Sequence, residues 1–422
     1  MSTKFLHVDW ATTANVYEVN TRQYTPEGTF EAFGKHIPRL REMGVGILWF
    51  MPVTPISQLG RKGTLGSYYA CSNYTKINPE FGMMEDFRKL VKYAHLNEMK
   101  VLIDWVANHT GMDHEWIQLH PEFYKNNEAG KLYDANGWED VVDLDFENVN
   151  LWKEMTDAMQ FWVSECDIDG FRCDMAHLVP LPFWNYARQT LDSQKKLLWL
   201  AESEDVTYHQ VFDVTYGWEL LHIMESRYKN QTTLQQLVNV LHKYDSEFPT
   251  DAVRLLFTSN HDENSHSGSE WERLGNGAKA FAVLCTTWKN SLPLIYSGQE
   301  LPNMKRLLFF DKDDIEWKGD NQLQNFYKTL LLLRKNNPAL KSPDAASTVQ
   351  LLDTSKPENI LAYVRKNKHH EVLVLLNLTS DEVIFTLNHL DNCQQLHEVF
   401  SSELFSDKEL NLEPWGYKVF AN

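Results

Sequence analysis

Apolar runs of strand length alternate along most of the chain with amphipathic segments of helix length, and this alternation repeats eight times. Strands joined through helices must run parallel, so the pattern predicts βα units rather than hairpins. The predicted strands cover residues 16–19, 47–51, 101–106, 170–175, 197–203, 221–224, 253–260 and 293–298. For the sixth, 211–215 is the competing choice. Segments 30–43, 85–99, 150–165 and 278–288 carry apolar residues at three-to-four spacing, the stripe of a helix packed on a sheet. An open doubly wound sheet is the rival architecture. Eight units favour closure into a (β/α)8 TIM barrel, whose strand C-termini converge on one face.

Two departures from the repeat divide the chain. Residues 110–148, after the third strand, contain Gly111, Pro121, Gly130 and Gly137 and are too long for a simple turn, so they form a short loop domain beside the strand ends. Near residue 340, Asn337-Pro338 and Lys341-Ser342-Pro343 end the helical pattern. Period-two runs follow at 348–352, 360–364, 372–378, 383–387, 396–400 and 417–420, as an antiparallel β-sandwich requires. The expected organisation is a barrel over 1–340, with 110–148 inserted, and a C-terminal sandwich over 341–422.

Four predicted strands end in polar residues: Asp104-Trp105-Val106-Ala107-Asn108-His109, Gly170-Phe171-Arg172-Cys173-Asp174, Glu202 after Leu197-Leu198-Trp199-Leu200-Ala201, and Ser259-Asn260-His261-Asp262. A barrel makes these four segments one site. Cleaving an acetal at neutral pH takes a proton for the leaving oxygen and a carboxylate for the oxocarbenium-like centre, and two carboxyl groups roughly 5 Å apart supply both with retention. Arg172 shares a strand face with Asp174, which predicts an ionised, low-pKa nucleophile. Glu202 ends an apolar strand near other acids, so its raised pKa suits a general acid. Asp262 adds a third carboxylate, His109 and His261 read as hydroxyl donors, and Asp104 is expected to position Arg172. A lone acid is most often structural; three that each end a different strand are not. His177, His266, His114 and His120 lack such context and read as structural or solvent-facing. Tyr216 and Trp218 divide evenly between core and sugar subsite.

A formal charge of −18 argues against a nucleic-acid groove or an anionic membrane surface, which need clustered Lys and Arg. A neutral sugar fits better, and the 14 Trp, 17 Tyr and 22 Phe supply rings able to stack on one. Five cysteines without a Cys-x-x-Cys pair make a disulfide scaffold unlikely on count alone. With no charged-then-apolar leader, a cytoplasmic location is expected. No spacing of His or Cys suggests zinc, and no motif suggests an organic cofactor.

These segments, in order and spacing, resemble the four signature regions of the alpha-amylase family of retaining glycoside hydrolases. Further matches are Gly66-Ser67-Tyr68-Tyr69 leading to Asn73-Tyr74, Asn78-Pro79-Glu80-Phe81-Gly82, Val142-Asp143-Leu144-Asp145 and Ile295-Tyr296-Ser297-Gly298-Gln299-Glu300. The resemblance implies Asp174 as nucleophile, Glu202 as acid/base, Asp262 as transition-state stabiliser, and Arg172, His109 and His261 around the same sugar. It implies Tyr69 as the platform under that sugar, with Tyr68 as the fallback. It also implies Asn108 and Asp145 as candidate ligands of a structural calcium. The chain departs from the calcium-dependent pattern in its shorter excursion and in Ala176-His177 after the nucleophile. The activity implied is retaining hydrolysis of α-1,4-glucosidic bonds in starch, maltodextrin or maltooligosaccharides. Its alternatives are an α-glucosidase, a 4-α-glucanotransferase and, from another class, a catalytically silent carbohydrate-binding subunit, which the presence of all three acids disfavours.

Overall fold

The structure, a computed structural model, describes residues 5–317, 322–388, 395–405 and 409–422. Eight parallel strands close into a barrel: β1 (Val16–Val19), β2 (Ile47–Phe50), β3 (Lys100–Val106), β4 (Gly170–Asp174), β5 (Leu198–Ala201), β6 (Val214–Tyr216), β7 (Val253–Leu256) and β8 (Ser291–Tyr296). Each pairs with its neighbours in sequence, and β8 closes on β1 through Val16 opposite Leu294. Strands buried on both faces need no alternation, which is why β2 reads as a continuous apolar run and β1 as one broken only by Glu18.

The helices follow from their stripes. Met84–Leu96 buries Phe87, Leu90, Val91 and Ala94 against β3, and the Asp86 carboxylate accepts from the Met83 amide at its start. Val149–Cys166 starts at Asn148, whose side chain accepts from Asn150, and stops where Asp167 turns left-handed at φ 57°. The stripe predicted over 30–43 is two helices, Phe30–Gly34 and Ile37–Met43, because Pro38 in the first turn of the second cannot continue the first.

The sixth strand is corrected. Residues 221–224 lie inside the helix Trp218–Tyr228, where Leu220, Leu221 and Met224 face inward, and the strand is Val214–Tyr216. At three residues β6 is too short to leave a run, whereas the helix concentrates its apolar residues on one face.

Residues 110–148 begin and end in a small antiparallel ladder, His109–Gly111 against Val141–Asp143, which docks the excursion over β3. Beyond the barrel, β9 (Thr348–Leu351), β10 (Ile360–Asn367), β11 (His370–Asn377), β13 (His397–Glu398) and β15 (Tyr417–Ala421) form a sheet in the order β9-β10-β11-β15-β13. The pair β12 (Val383–Phe385) and β14 (Leu410–Leu412) packs over it. Alternation divides this sheet's two faces. Ile360, Ala362, Leu373 and Leu375 face β12 and β14, while Leu361, Tyr363, Val374 and Leu376 join the barrel's core. Tyr363 seals that joint, its ring 5.0 Å from Trp288 and its hydroxyl 2.6 Å from Thr287. Sequence reading missed β14, a short strand with one buried residue. Among the described residues no helix is long and apolar enough to cross a membrane.

Candidate active site

Gly170 lets β4 carry its functional residues into the middle of the barrel. A Cβ there would lie 2.1 Å from the Leu198 carbonyl oxygen and 2.7 Å from Leu102, so only glycine fits between β3 and β5. Two residues on, the fully buried Arg172 guanidinium gathers three carboxylates. Its Nη1 is 3.0 Å from Asp104 and 2.8 Å from Asp174, its Nη2 is 2.7 Å from Glu202, and its Nε donates to the Tyr216 hydroxyl at 3.1 Å. Asp104 is thus the orienting partner, held in turn by Trp49 and Tyr69. Asp174 and Glu202, on adjacent nitrogens of one planar fork, are neighbours.

The chain fixes Glu202 a second time. Directly after Asp174, Met175 adopts a left-handed backbone (φ 40°), rare for a residue with a Cβ, and its amide donates to Glu202 Oε2 at 2.8 Å.

One guanidinium cannot neutralise three buried acids. Burial pushes Glu202 up to about 7 against the pull of Arg172, with Asp174 and Asp262 adding to the rise. Asp174 is raised to about 6, also by burial first, with Arg172 opposing and Asp104 and Asp262 reinforcing. This corrects the expectation of a low-pKa nucleophile: desolvation outweighs the nearby cation. Of the two raised values, the higher belongs to Glu202.

The two histidines differ in charge. For His261, burial alone would favour the neutral ring, but Asp262 and Glu18 raise it to about 9. Its Nδ1 is 2.5 Å from Glu18 Oε1, and its Nε2 is 2.6 Å from the Tyr69 hydroxyl and 3.3 Å from Asp262. Burial lowers His109 to about 4, so it stays neutral, its ring edge-on to Trp138 at 5.2 Å.

A cavity of about 280 Å³ opens above this array, lined by Asp174, Glu202, Asp262, Tyr69 and His109. Arg172 and His261 lie behind that lining and act on it through its members. Tyr69, His261 and Phe309 form a triangle of near-parallel rings, Tyr69 5.4 Å (19°) from His261 and 6.2 Å (12°) from Phe309, with His261 6.4 Å from Phe309, whereas Tyr68 turns away to Asn20. Tyr216 is wholly buried under Arg172, and neither it nor Trp218 reaches the cavity. His266 is solvent-facing, as expected, and it also lines the cavity beside Phe309, because the turn of helix after Asp262 swings it back over the opening.

Sequence reasoning missed Glu18, Lys62, Trp138, Asp140 and Phe309. Only Glu18 left a signal, as the single charge within an apolar strand.

Asn108 and Asp145 have separate protein partners. Asn108 reaches Asp143 (3.4 Å), and the other oxygen of Asp143 faces the Lys125 ammonium (3.4 Å) and the Ala135 amide (3.2 Å). Asp145 instead accepts from the Glu147 amide and caps the approach to the next helix. The Lys125 ammonium stands against Asp143, the partner of Asn108, and among the described residues no three His, Cys, Asp or Glu converge to hold a metal.

Comparison with known proteins agrees in both halves of the chain. The family described as "Alpha amylase, catalytic domain" matches residues 11–133 and 119–318, and "Maltogenic Amylase, C-terminal domain" matches 349–419. The alpha-amylase MalA of Haloarcula japonica is 26% identical over 402 residues, covering 88% of this chain and 56% of that protein. The alpha-1,4-glucan:maltose-1-phosphate maltosyltransferase of Rhodospirillum rubrum is 26% identical over 364 residues, 77% of this chain and 52% of that protein. The chain thus spans about half the length of these two curated relatives. The solved structure of the maltogenic alpha-amylase AmyB from Thermotoga neapolitana superposes with a TM-score of 0.89 at 29% identity, covering 97% of this chain and 99% of that one.

Proposed function

Because the chain belongs to the alpha-amylase family, we propose that it hydrolyses α-1,4-glucosidic bonds of maltooligosaccharides or related α-glucans with retention of configuration. The observation that carries this reading is the pairing of Asp174 and Glu202 on Arg172 beneath a cavity that Asp262 also lines. Protonated Glu202 donates to the glycosidic oxygen while ionised Asp174 attacks the anomeric carbon, giving a covalent glycosyl-enzyme. Glu202, now a carboxylate, then takes a proton from water, which displaces Asp174 and restores the α-anomer. Asp262 holds ring hydroxyls and balances the positive charge that develops in the transition state of each step. Tyr69 gives the ring a face to stack on.

Relatives named as alpha-amylases and as a maltogenic alpha-amylase support hydrolysis; the relative named as a maltosyltransferase supports a second reading, transfer to a sugar acceptor. A timed digest of maltoheptaose with anomers read by proton NMR tests both. Fresh α-anomeric short products indicate the hydrolase, glucose alone an α-glucosidase, and chains longer than the input a transferase. β-Anomeric products, or no cleavage of any α-glucan, overturn the assignment.

A further inference from the structure

We propose that residues 57–66, after β2, wall off the sugar-ring side of the cavity, so that this enzyme works from non-reducing chain ends; the inference rests on the glucan-cleaving reading above. The segment is fastened to both of its neighbours at the barrel mouth. Toward the excursion, Lys62 pairs with Asp140 at 3.2 Å, and the Gln58 and Leu59 amides donate to Asp113 at 2.8 and 3.1 Å. Toward the loop after β8, the Thr64 amide and hydroxyl donate to Asp311 at 2.7 and 2.6 Å, and the Leu65 amide donates to the Phe310 carbonyl at 2.9 Å. Gly63, at φ +61°, permits this fit, since a Cβ would lie 2.6 Å from Phe310 Cβ.

The direction follows from the strand order. The loops after β8 and β2 flank β1, the excursion after β3 stands next to the β2 loop, and in this closed barrel β1 lies across from β5, whose end carries Glu202. Glu202 protonates the leaving oxygen, so the leaving chain departs on the β5 side. The sugar attacked by Asp174 therefore extends toward the β1 arc, where Lys62 and Asp140 line the same cavity as the acids. A chain running through in both directions would have to displace the Lys62 side chain, 36% exposed, from its buried partner Asp140, 8% exposed. A chain end fits against them.

The test compares maltoheptaose with the same oligosaccharide carrying a cyclic acetal on its non-reducing terminal 4- and 6-hydroxyls. The native protein is expected to cleave the free-ended sugar at least about tenfold faster, and Lys62→Ala and Asp140→Asn are each expected to raise the blocked-to-free ratio. Should one variant fold poorly, the other reads the wall alone. Equal rates on the two sugars in the native protein overturn chain-end action, and an unchanged ratio in a folded variant overturns the wall. Cleavage of neither sugar is a separate outcome: it overturns the glucan reading, and this inference with it.

Discussion

Glu18 and His261, 243 residues apart in the chain, meet at 2.5 Å between carboxylate and ring nitrogen, both wholly buried at the barrel mouth. The carboxylate fixes which ring nitrogen faces Asp262 and Tyr69, and Asp262 first and Glu18 second hold that imidazole charged. A cation behind Tyr69 and Asp262 keeps a positive charge beside both of these lining groups.

Glu18→Gln keeps an acceptor for the ring and removes the charge. His261 should then titrate below its native value of about 9, although Asp262 still raises it. We expect kcat to fall about tenfold, the scale of one charge-assisted hydrogen bond, with the loss growing as pH rises and the imidazolium disappears. A ¹⁵N titration of the ring beside the pH–rate profile checks this; an unshifted ring would remove Glu18 from the role.

Asp174→Asn and Glu202→Gln should each lower turnover by at least about a thousandfold, since each removes a group that forms or breaks a bond. Circular dichroism should show the fold retained. Near-native rates in either variant would sink the assignment.

The pH–rate profile should be a narrow bell. Asp174 must be ionised and Glu202 protonated, so activity rises as pH passes about 6 and declines past about 7, with apparent values that belong to the coupled set. Stability should follow the same acid. The folded value of Glu202 stands above its unfolded value of 4.5, so its contribution is fully present below pH 4.5 and is lost as pH rises through about 7. Urea unfolding of Glu202→Gln should therefore show a flatter decline between pH 5 and 8 than the native protein, by about 1–3 kcal/mol.

If the Lys125 ammonium holds the excursion to Asp143, a chelator should leave the melting temperature unchanged. Lys125→Met should lower stability, by only about 0.5 kcal/mol because the side chain is 38% exposed and screened. A clear loss of melting temperature in chelator, with calcium found by elemental analysis, would restore a metal to this region.

Gly170→Ala should cost about 3 kcal/mol, because the added methyl meets backbone and one side of the barrel must shift. Denaturant melts would read it directly.

Most barrel strands were legible because burial on both faces writes an uninterrupted apolar run, as in Ile47–Phe50. Val214–Tyr216 was not, since three residues leave no run and the neighbouring helix imitates one. In the site, Asp174, Glu202 and Asp262 stood at strand ends where an acid has no packing role. Glu18 was visible as an anomaly without a partner, because pairing across 243 residues is a property of barrel closure. Lys62, Asp140 and Phe309 sit in loops whose composition matches any solvated turn, and only the assembled mouth gives them a place. The titration of Asp174 was misjudged for a related reason: sequence showed its cation but not the depth of its burial.

The Met175 amide bears on how the site could change over time. A peptide group one residue past the nucleophile grips the acid on the next strand, so the spacing between the two reacting carboxyls is measured by backbone rather than by side-chain freedom. Substitutions around the cavity can then alter which sugar enters and how it leaves while that ruler keeps its length. Stereochemical outcome is inherited with the strand, and specificity is left to the loops.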